Sequence, residues 1–242
     1  MRQNYFLAVC DILGFSGLVE KNSLDFVVDQ ALAWFRQSLS HSVHKNGFPG
    51  QVPPTSDLDR HERVGVAWFS DTLLFYTKQD TDDAVRDLLA TVAWLVFETM
   101  LQGQTRVRAG VAYGEAFIDP TNSLFAGRPI VEAYQLEQVQ QWSGGALAPS
   151  ALNRVPEIAR SGEFADWWLA KYDVPLKRGE ILRTLALNWS QGIHHPLWRL
   201  RWSEASELPT PEDWKRDPSI CEKFVNTKRF HETFCHECRR ET

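Results

Sequence analysis

The sequence predicts an α+β domain whose elements run β-α-β-β-α-β, and three features carry that prediction. A continuous apolar run, Tyr5 to Ile12, contains a single acid near its end, as a buried central strand does. Two β-rich runs, Val64 to Phe69 and Thr72 to Thr77, are separated only by Ser70-Asp71, which predicts a hairpin with an acid at its tip. Between and after them lie segments of helical period. The order is that of a ferredoxin-like or palm arrangement. At 242 residues the chain suits one such domain, or one domain with an appendage, and can bury a large core.

Each element has its own local reason. After the first strand comes Gly14-Phe15-Ser16-Gly17, where Ser16 is a candidate helix cap. Leu18, Val19, Phe26, Val27, Ala31, Trp34 and Phe35 then recur near helical spacing and predict one long helix. Lys45 to Arg63, with its prolines, glycines and mixed charge, predicts a loop. In Asp82 to Leu101 acids fill the first turn, and Val85, Leu88, Leu89, Val92, Leu95, Val96 and Met100 line one face of a helix. Val107 to Ile118 predicts the next strand. Pro129 suits the first turn of a helix that Ile130, Ala133, Leu136 and Val139 carry on to Gln141. Gly144 to Ala148 predicts a short strand and Pro149-Ser150 a helical turn. Tyr172 to Pro175 and Ile181 to Asn188 predict a strand pair around Lys177-Arg178-Gly179. The expected division is a domain over residues 1–188 and a C-terminal extension over 189–242, rich in Trp, Pro and charge.

Composition excludes several classes. There are 26 Lys+Arg against 31 Asp+Glu, a net charge of −5, which argues against a nucleic-acid polymer as partner. Four cysteines do not make a disulfide framework, and free thiols in a reducing cytoplasm are expected. Met1-Arg2-Gln3-Asn4 followed by an apolar run broken by Asp11 is no export signal, and no apolar stretch approaches the ~20 residues of a membrane span. The expected location is cytoplasmic. Cys235 and Cys238, with His231, His236 and Cys221, could ligate zinc, but a second cysteine pair is missing and a tail with free thiols fits better. The tryptophans could stack bases; packing of the extension onto the core is the favoured reading. Lys215-Arg216 and Arg239-Arg240 read as solvated charges.

Asp11 and Asp71 carry the chemistry. The topology places the hairpin tip beside the end of the first strand, so two carboxylates distant in sequence meet. Two such groups repel unless a cation lies between them. Mg²⁺ or Mn²⁺, two per site, suit oxygen ligands and phosphate substrates. From spacing alone a second reading stands equally: Asp11 caps a helix and Asp71 serves a turn. The glycine turn Gly14 to Gly17 can receive an anion at a helix start, although many such turns carry glycine. Arg108 opens a strand expected next to Asp11 and can hold a phosphate.

These motifs resemble those of class III adenylate/guanylate cyclases. FLAVCDILGFSGLVE is similar to the first metal motif, FSDTLLFY to the second, VRAGVAYGEAF to the Arg-x-Gly strand, and GRPIVEAYQLEQ to the following helix. Lys177-Arg178-Gly179-Glu180 resembles the late lysine-glycine hairpin. The likeness spans residues 5 to 188 in order. It departs at Val131 and Gln135, where the family carries a transition-state Asn and Arg, and at Ala67 and Leu124, where many members read a purine. Keeping the metal acids while losing the purine pair looks most like the bacterial anti-phage pyrimidine cyclases of the Pycsar systems.

The resemblance implies a homodimer with active sites at the interface. UTP, or less readily CTP, becomes a 3′,5′-cyclic monophosphate plus pyrophosphate. The product, a second messenger, activates a separate effector. It implies metal ligands at Asp11, Asp71 and the Ile12 carbonyl, and substrate contacts from Phe15, Ser16, Gly17, Arg108, Lys177 and Arg178. Arg128 could replace the missing helix arginine. The competing expectation is a catalytically degenerate, cyclase-like module that binds a nucleotide or a partner. A palm-type polymerase fits less well, since the chain is acidic and shows no thumb.

Overall fold

The computed structural model describes residues 2–44, 61–102, 106–155, 168–190 and 217–234. Most of the Lys45 to Arg63 loop, and Cys235, His236, Cys238, Lys215-Arg216 and Arg239-Arg240, lie outside the described residues.

One mixed sheet of eight strands organises the chain, in the order β2-β3-β1-β4-β6-β8-β7, with β5 paired to the far end of β4. The first four strands of the β-α-β-β-α-β prediction, β1 (Arg2–Leu13), β2 (Val64–Phe69), β3 (Thr72–Thr77) and β4 (Arg106–Asp119), lie side by side as that arrangement requires. β1 is central, and every side chain from Tyr5 to Cys10 is buried, because both faces of the sheet are covered there. The hairpin β2–β3 has the bounds its composition predicts.

Two predicted helices differ from expectation. The long first helix is broken: α1 (Phe15–Lys21) ends at Asn22 in extended conformation, and Ser23 starts a new helix by accepting a hydrogen bond from the Phe26 amide. That helix runs as α2 (Leu24–Phe26), a π-turn over Val27–Leu32, and α3 (Ala33–His44). An Asn-Ser pair competes locally for backbone hydrogen bonds, and this interrupts a pattern whose apolar period continues across it. The cap of α1 is also not Ser16. Gly14 holds that position with φ 79°, a left-handed turn that glycine adopts without strain, and Ser16 lies exposed in the first turn.

α4 (Asp82–Gln102) is buried around its whole circumference from Asp87 to Met100 rather than along one face. It sits between the sheet and α3, so its outer face meets helix instead of water. α5 (Arg128–Val139) lies on the opposite face, across β4. Gly110 permits this contact, since a Cβ there would stand 2.1 Å from the Ala133 carbonyl oxygen. α5 ends at Val139, short of Gln141, because Gln140 turns extended. The four-residue strand β5 (Leu124–Gly127) was not foreseen; its sequence has too little β character to stand out, and it forms by pairing with the end of β4.

β6 (Gly144–Leu147), α6 (Pro149–Leu152) and β8 (Ile181–Leu187) fall within a residue of their predicted places where bounds were given, and β7 (Leu169–Pro175) begins before the predicted Tyr172 because Leu169, Ala170 and Lys171 also pair with β8. α7 (Pro218–Phe234) packs on the sheet edge. Phe230 is its anchor, with ring centroids 4.8 Å from Trp142, 4.9 Å from Tyr172 and 5.7 Å from Trp189. Trp189 thus serves packing, as favoured above. His231 stacks on it at 5.7 Å, and burial lowers the His231 pKa to about 4.

Candidate active site

The register of three strands assembles the site. β1 runs antiparallel to both neighbours, so Asp11 lies opposite Thr72 on β3 and opposite Arg108 on β4. The Ile12 amide donates to the Asp71 carbonyl at 2.9 Å, which pins the hairpin tip against the end of β1. Residues 11, 71 and 108 therefore converge at one end of three adjacent strands. At the tip, Ser70 adopts a left-handed φ of 55°, and the Trp68 indole donates to its carbonyl at 2.6 Å.

Directly opposed strand residues share a face, so Asp11 and Arg108 project to the side on which α5 lies. Arg108 is only 4% exposed. Its Nε donates to Glu137 Oε1 at 2.6 Å and its Nη1 to the Gln140 carbonyl at 2.9 Å. Nη2 lies 2.6 Å from Glu137 Oε1 and 3.9 Å from Asp11 Oδ2. The guanidinium is thus anchored by α5 with one edge turned toward Asp11. Glu137, 1% exposed, was named in the sequence only within the helix motif. The available signal in the sequence was an acid directly after Leu136, a position of the helix's apolar period.

Electrostatics mark Asp11 as the strained member. Partial burial pushes its carboxyl above the usual aspartate range; Arg108 opposes this, Asp71 adds to it by like-charge repulsion, and Lys223 and Lys177 pull it down again. Burial likewise raises Glu137, with Arg108 pulling against it. Lys177 occupies the exposed turn Lys177–Gly179, beside Arg178 at φ 64°. Lys223 comes from α7, and nothing in the sequence singled it out.

The other expected residues fall as follows. Phe15 is half-buried against the core at the start of α1, with Ser16 and Gly17 following it. Ala67 is on β2, and Leu124, 55% exposed, begins β5. Arg128, Val131 and Gln135 line an open groove of about 1190 Å³ bounded by Arg2, the outer half of β4 and β5. The lining of this groove does not include either aspartate, so the acids and the groove are separate features of one chain.

The donor set fits a hard divalent cation. Asp11, Asp71 and the Ile12 carbonyl offer oxygen only, and too few atoms to fill a shell, which suits Mg²⁺ or Mn²⁺ with water and phosphate as further ligands. A carboxyl driven up by burial beside a second acid is relieved by such a charge. Among the described residues no group of three or more His, Cys, Asp or Glu could hold a metal. His231 is engaged with Trp189, Cys221 is a free thiol, and the other members of the C-terminal Cys/His group lie outside the described residues. No helix among the described residues is long and apolar enough to cross a membrane.

No protein-family model matches this chain, and no curated protein matches it. Solved structures are similar in backbone course. The adenylyl cyclase CyaB from P. aeruginosa has 12% identity and a TM-score of 0.48 over 77% of this chain and 94% of that one. The guanylyl cyclase Cya2 has 11% identity and a TM-score of 0.46 over 77% and 91%. An adenylate/guanylate cyclase/hydrolase from Silicibacter pomeroyi has 17% identity and a TM-score of 0.45 over 77% and 95%.

Proposed function

We propose that this chain is a metal-dependent nucleotide cyclase that converts a pyrimidine nucleoside triphosphate, UTP in preference to CTP, to its 3′,5′-cyclic monophosphate and pyrophosphate. The convergence of Asp11, Asp71 and Arg108 supports the reading: two acids and a guanidinium from β1, the β2–β3 turn and β4 lie together at one sheet end. The motif order along the sequence gives those residues their roles.

In this reaction the ribose 3′ oxygen attacks the α-phosphorus, the bond from that phosphorus to the bridging oxygen breaks, pyrophosphate departs, and the 3′ proton passes to solvent. The transfer requires mostly positioning and charge stabilisation. Asp11, Asp71 and the Ile12 carbonyl would hold two Mg²⁺ or Mn²⁺, which would lower the 3′-OH pKa and offset charge on the leaving group. Arg108, held by Glu137 and Gln140, presents a fixed positive edge beside Asp11. Lys177 and Arg178 bring charge from the β7–β8 turn, and Phe15 to Gly17 form the wall next to Asp11. Loss of a purine-reading pair at Ala67 and Leu124 leaves a pyrimidine as the base. A second copy sets its groove, with Arg128, over the acids of the first, making a homodimer with interfacial sites. The cyclic product acts as a messenger in anti-phage defence and alone contacts the effector.

A second reading, a degenerate nucleotide- or partner-binding module, is favoured by Val131 and Gln135 and by the commitment of Arg108 to Glu137. One experiment separates them. Purified protein is incubated with each of the four nucleoside triphosphates and Mn²⁺, and products are resolved by base. Cyclic UMP formation that disappears in Asp71→Ala supports the cyclase. Tight triphosphate binding without turnover supports the module, and a purine product overturns the base assignment.

A further inference from the structure

Lys223 projects from α7 beside the candidate site. α7 reaches the site through the segment that follows α5. The Glu222 carboxylate accepts from Gln141 Nε2 at 2.9 Å, Asn226 Nδ2 donates to the Gln141 carbonyl at 2.8 Å, and Thr227 Oγ1 accepts from the Ser143 amide at 2.8 Å. The neighbouring Gln140 carbonyl holds Arg108, and Gly144, next after Ser143, lies in register with Arg108. Residues 223, 226 and 227 share one helix face. Lys223 therefore stands one turn before the two residues that clamp α7 to the edge of the site. Phe224 beside it lies under Arg106, 5.1 Å from guanidinium carbon to ring centre.

The charge around Lys223 is unusual. The side chain is half-buried, and among the described residues its ammonium makes no hydrogen bond or ion pair. Burial lowers its pKa, and Arg108 and Lys177 lower it further, while Asp217 and Asp11 act in the opposite sense. Three cations thus crowd one end of the sheet. Asp11, Asp71 and Glu137 stand against Arg108, Lys177 and Lys223, and Asp217 just before α7 acts on Lys223 as well. A divalent cation taken up by the acids adds positive charge here and favours an anion beside it.

We propose that Lys223 is a polyphosphate-binding residue contributed by the C-terminal helix to the same chain's Asp11–Asp71–Arg108 site. This rests on the cyclase reading for the identity of the anion as the triphosphate tail of the substrate. An ammonium close enough to two other cations to feel both, and without a hydrogen bond or ion pair among the described residues, is a poor structural element and a good ligand for a chain of phosphates. The role also gives α7 a functional reason to be docked, since its displacement removes one of the three charges.

The test is calorimetric binding of inorganic tripolyphosphate and of UTP in Ca²⁺ to the full chain. Lys223→Gln is expected to weaken both about tenfold, the worth of one charge-assisted contact. Lys223→Arg is expected to regain most of that affinity. Lys228→Gln, on the outward side of α7 and paired with Glu232, is expected to bind as wild type. In turnover, Lys223→Gln is expected to raise KM for UTP more than it lowers kcat. Wild-type affinity in Lys223→Gln, or no recovery in Lys223→Arg, overturns the proposal. Should Lys223→Gln fail to fold, tripolyphosphate must still shield Lys223, and not Lys228, from amine acylation in the wild type; equal labelling overturns it. If the wild type binds neither ligand, the cyclase reading falls too; if it binds both and Lys223 is indifferent, only this inference falls.

Discussion

Two regions of this molecule bury ionisable groups, and they do so in opposite ways. At the end of β1, Asp11, Arg108 and Glu137 keep polar company: each acid is lifted by burial and pulled back by the guanidinium between them. Toward the C-terminal end of α7, His231 stacks on Trp189 with burial as the cause of its shift, and its pKa falls to about 4. The second region solves burial by staying neutral, which is what packing alone selects. The first retains charge where charge is costly. A cluster that opposes its own stability in this way marks the place where the fold serves something other than folding.

The largest effect is expected at the aromatic cluster. Phe230→Ala removes a fully buried ring shared by Trp142, Tyr172 and Trp189, and should cost about 3–5 kcal/mol in denaturant unfolding. A loss under about 1 kcal/mol would mean that α7 is not anchored there. His231 sharpens the contrast through pH. Its folded pKa lies below the ordinary histidine value, so the unfolded chain binds the proton first, and stability falls as pH drops from about 6.5 toward 4. Between pH 7 and pH 5 the loss should be about 2 kcal/mol, and His231→Gln should flatten that slope in urea titrations.

Asp11 should show the opposite sign and the smallest effect. Its folded pKa is raised, so the folded state holds its proton longer, and stability falls as pH rises through the carboxylate range. In metal-free protein at neutral pH, Asp11→Asn should therefore stabilise, by less than about 1 kcal/mol because solvent screens the partly exposed carboxyl. The same change should abolish cyclic nucleotide formation. A destabilised Asp11→Asn protein would show instead that the carboxylate is a structural cap.

Much of this was legible along the chain, for local reasons. The β2–β3 hairpin declared itself by two β-rich runs around Ser70-Asp71, and α4 by its acidic first turn and apolar period. The pairing of Asp11 with Arg108 followed from the topology those elements imply. The break at Asn22–Ser23 is local, but an apolar period that continues across it hides it. Other features were hidden because they depend on partners distant in sequence. β5 exists only by pairing with β4. The anchoring of Arg108 by Glu137 depends on α5 crossing Gly110, a contact 27 residues apart in sequence from glycine to glutamate and set by sheet packing.

Local apolar period and turn chemistry were enough to read most elements, their order, and the two acids near the ends of neighbouring strands. Packing alone added β5, the docking of α7 and the charge balance around those acids: Glu137 against Arg108, and Lys223 brought in by α7. That balance depends on burial and distance, and both exist only once remote segments have packed together.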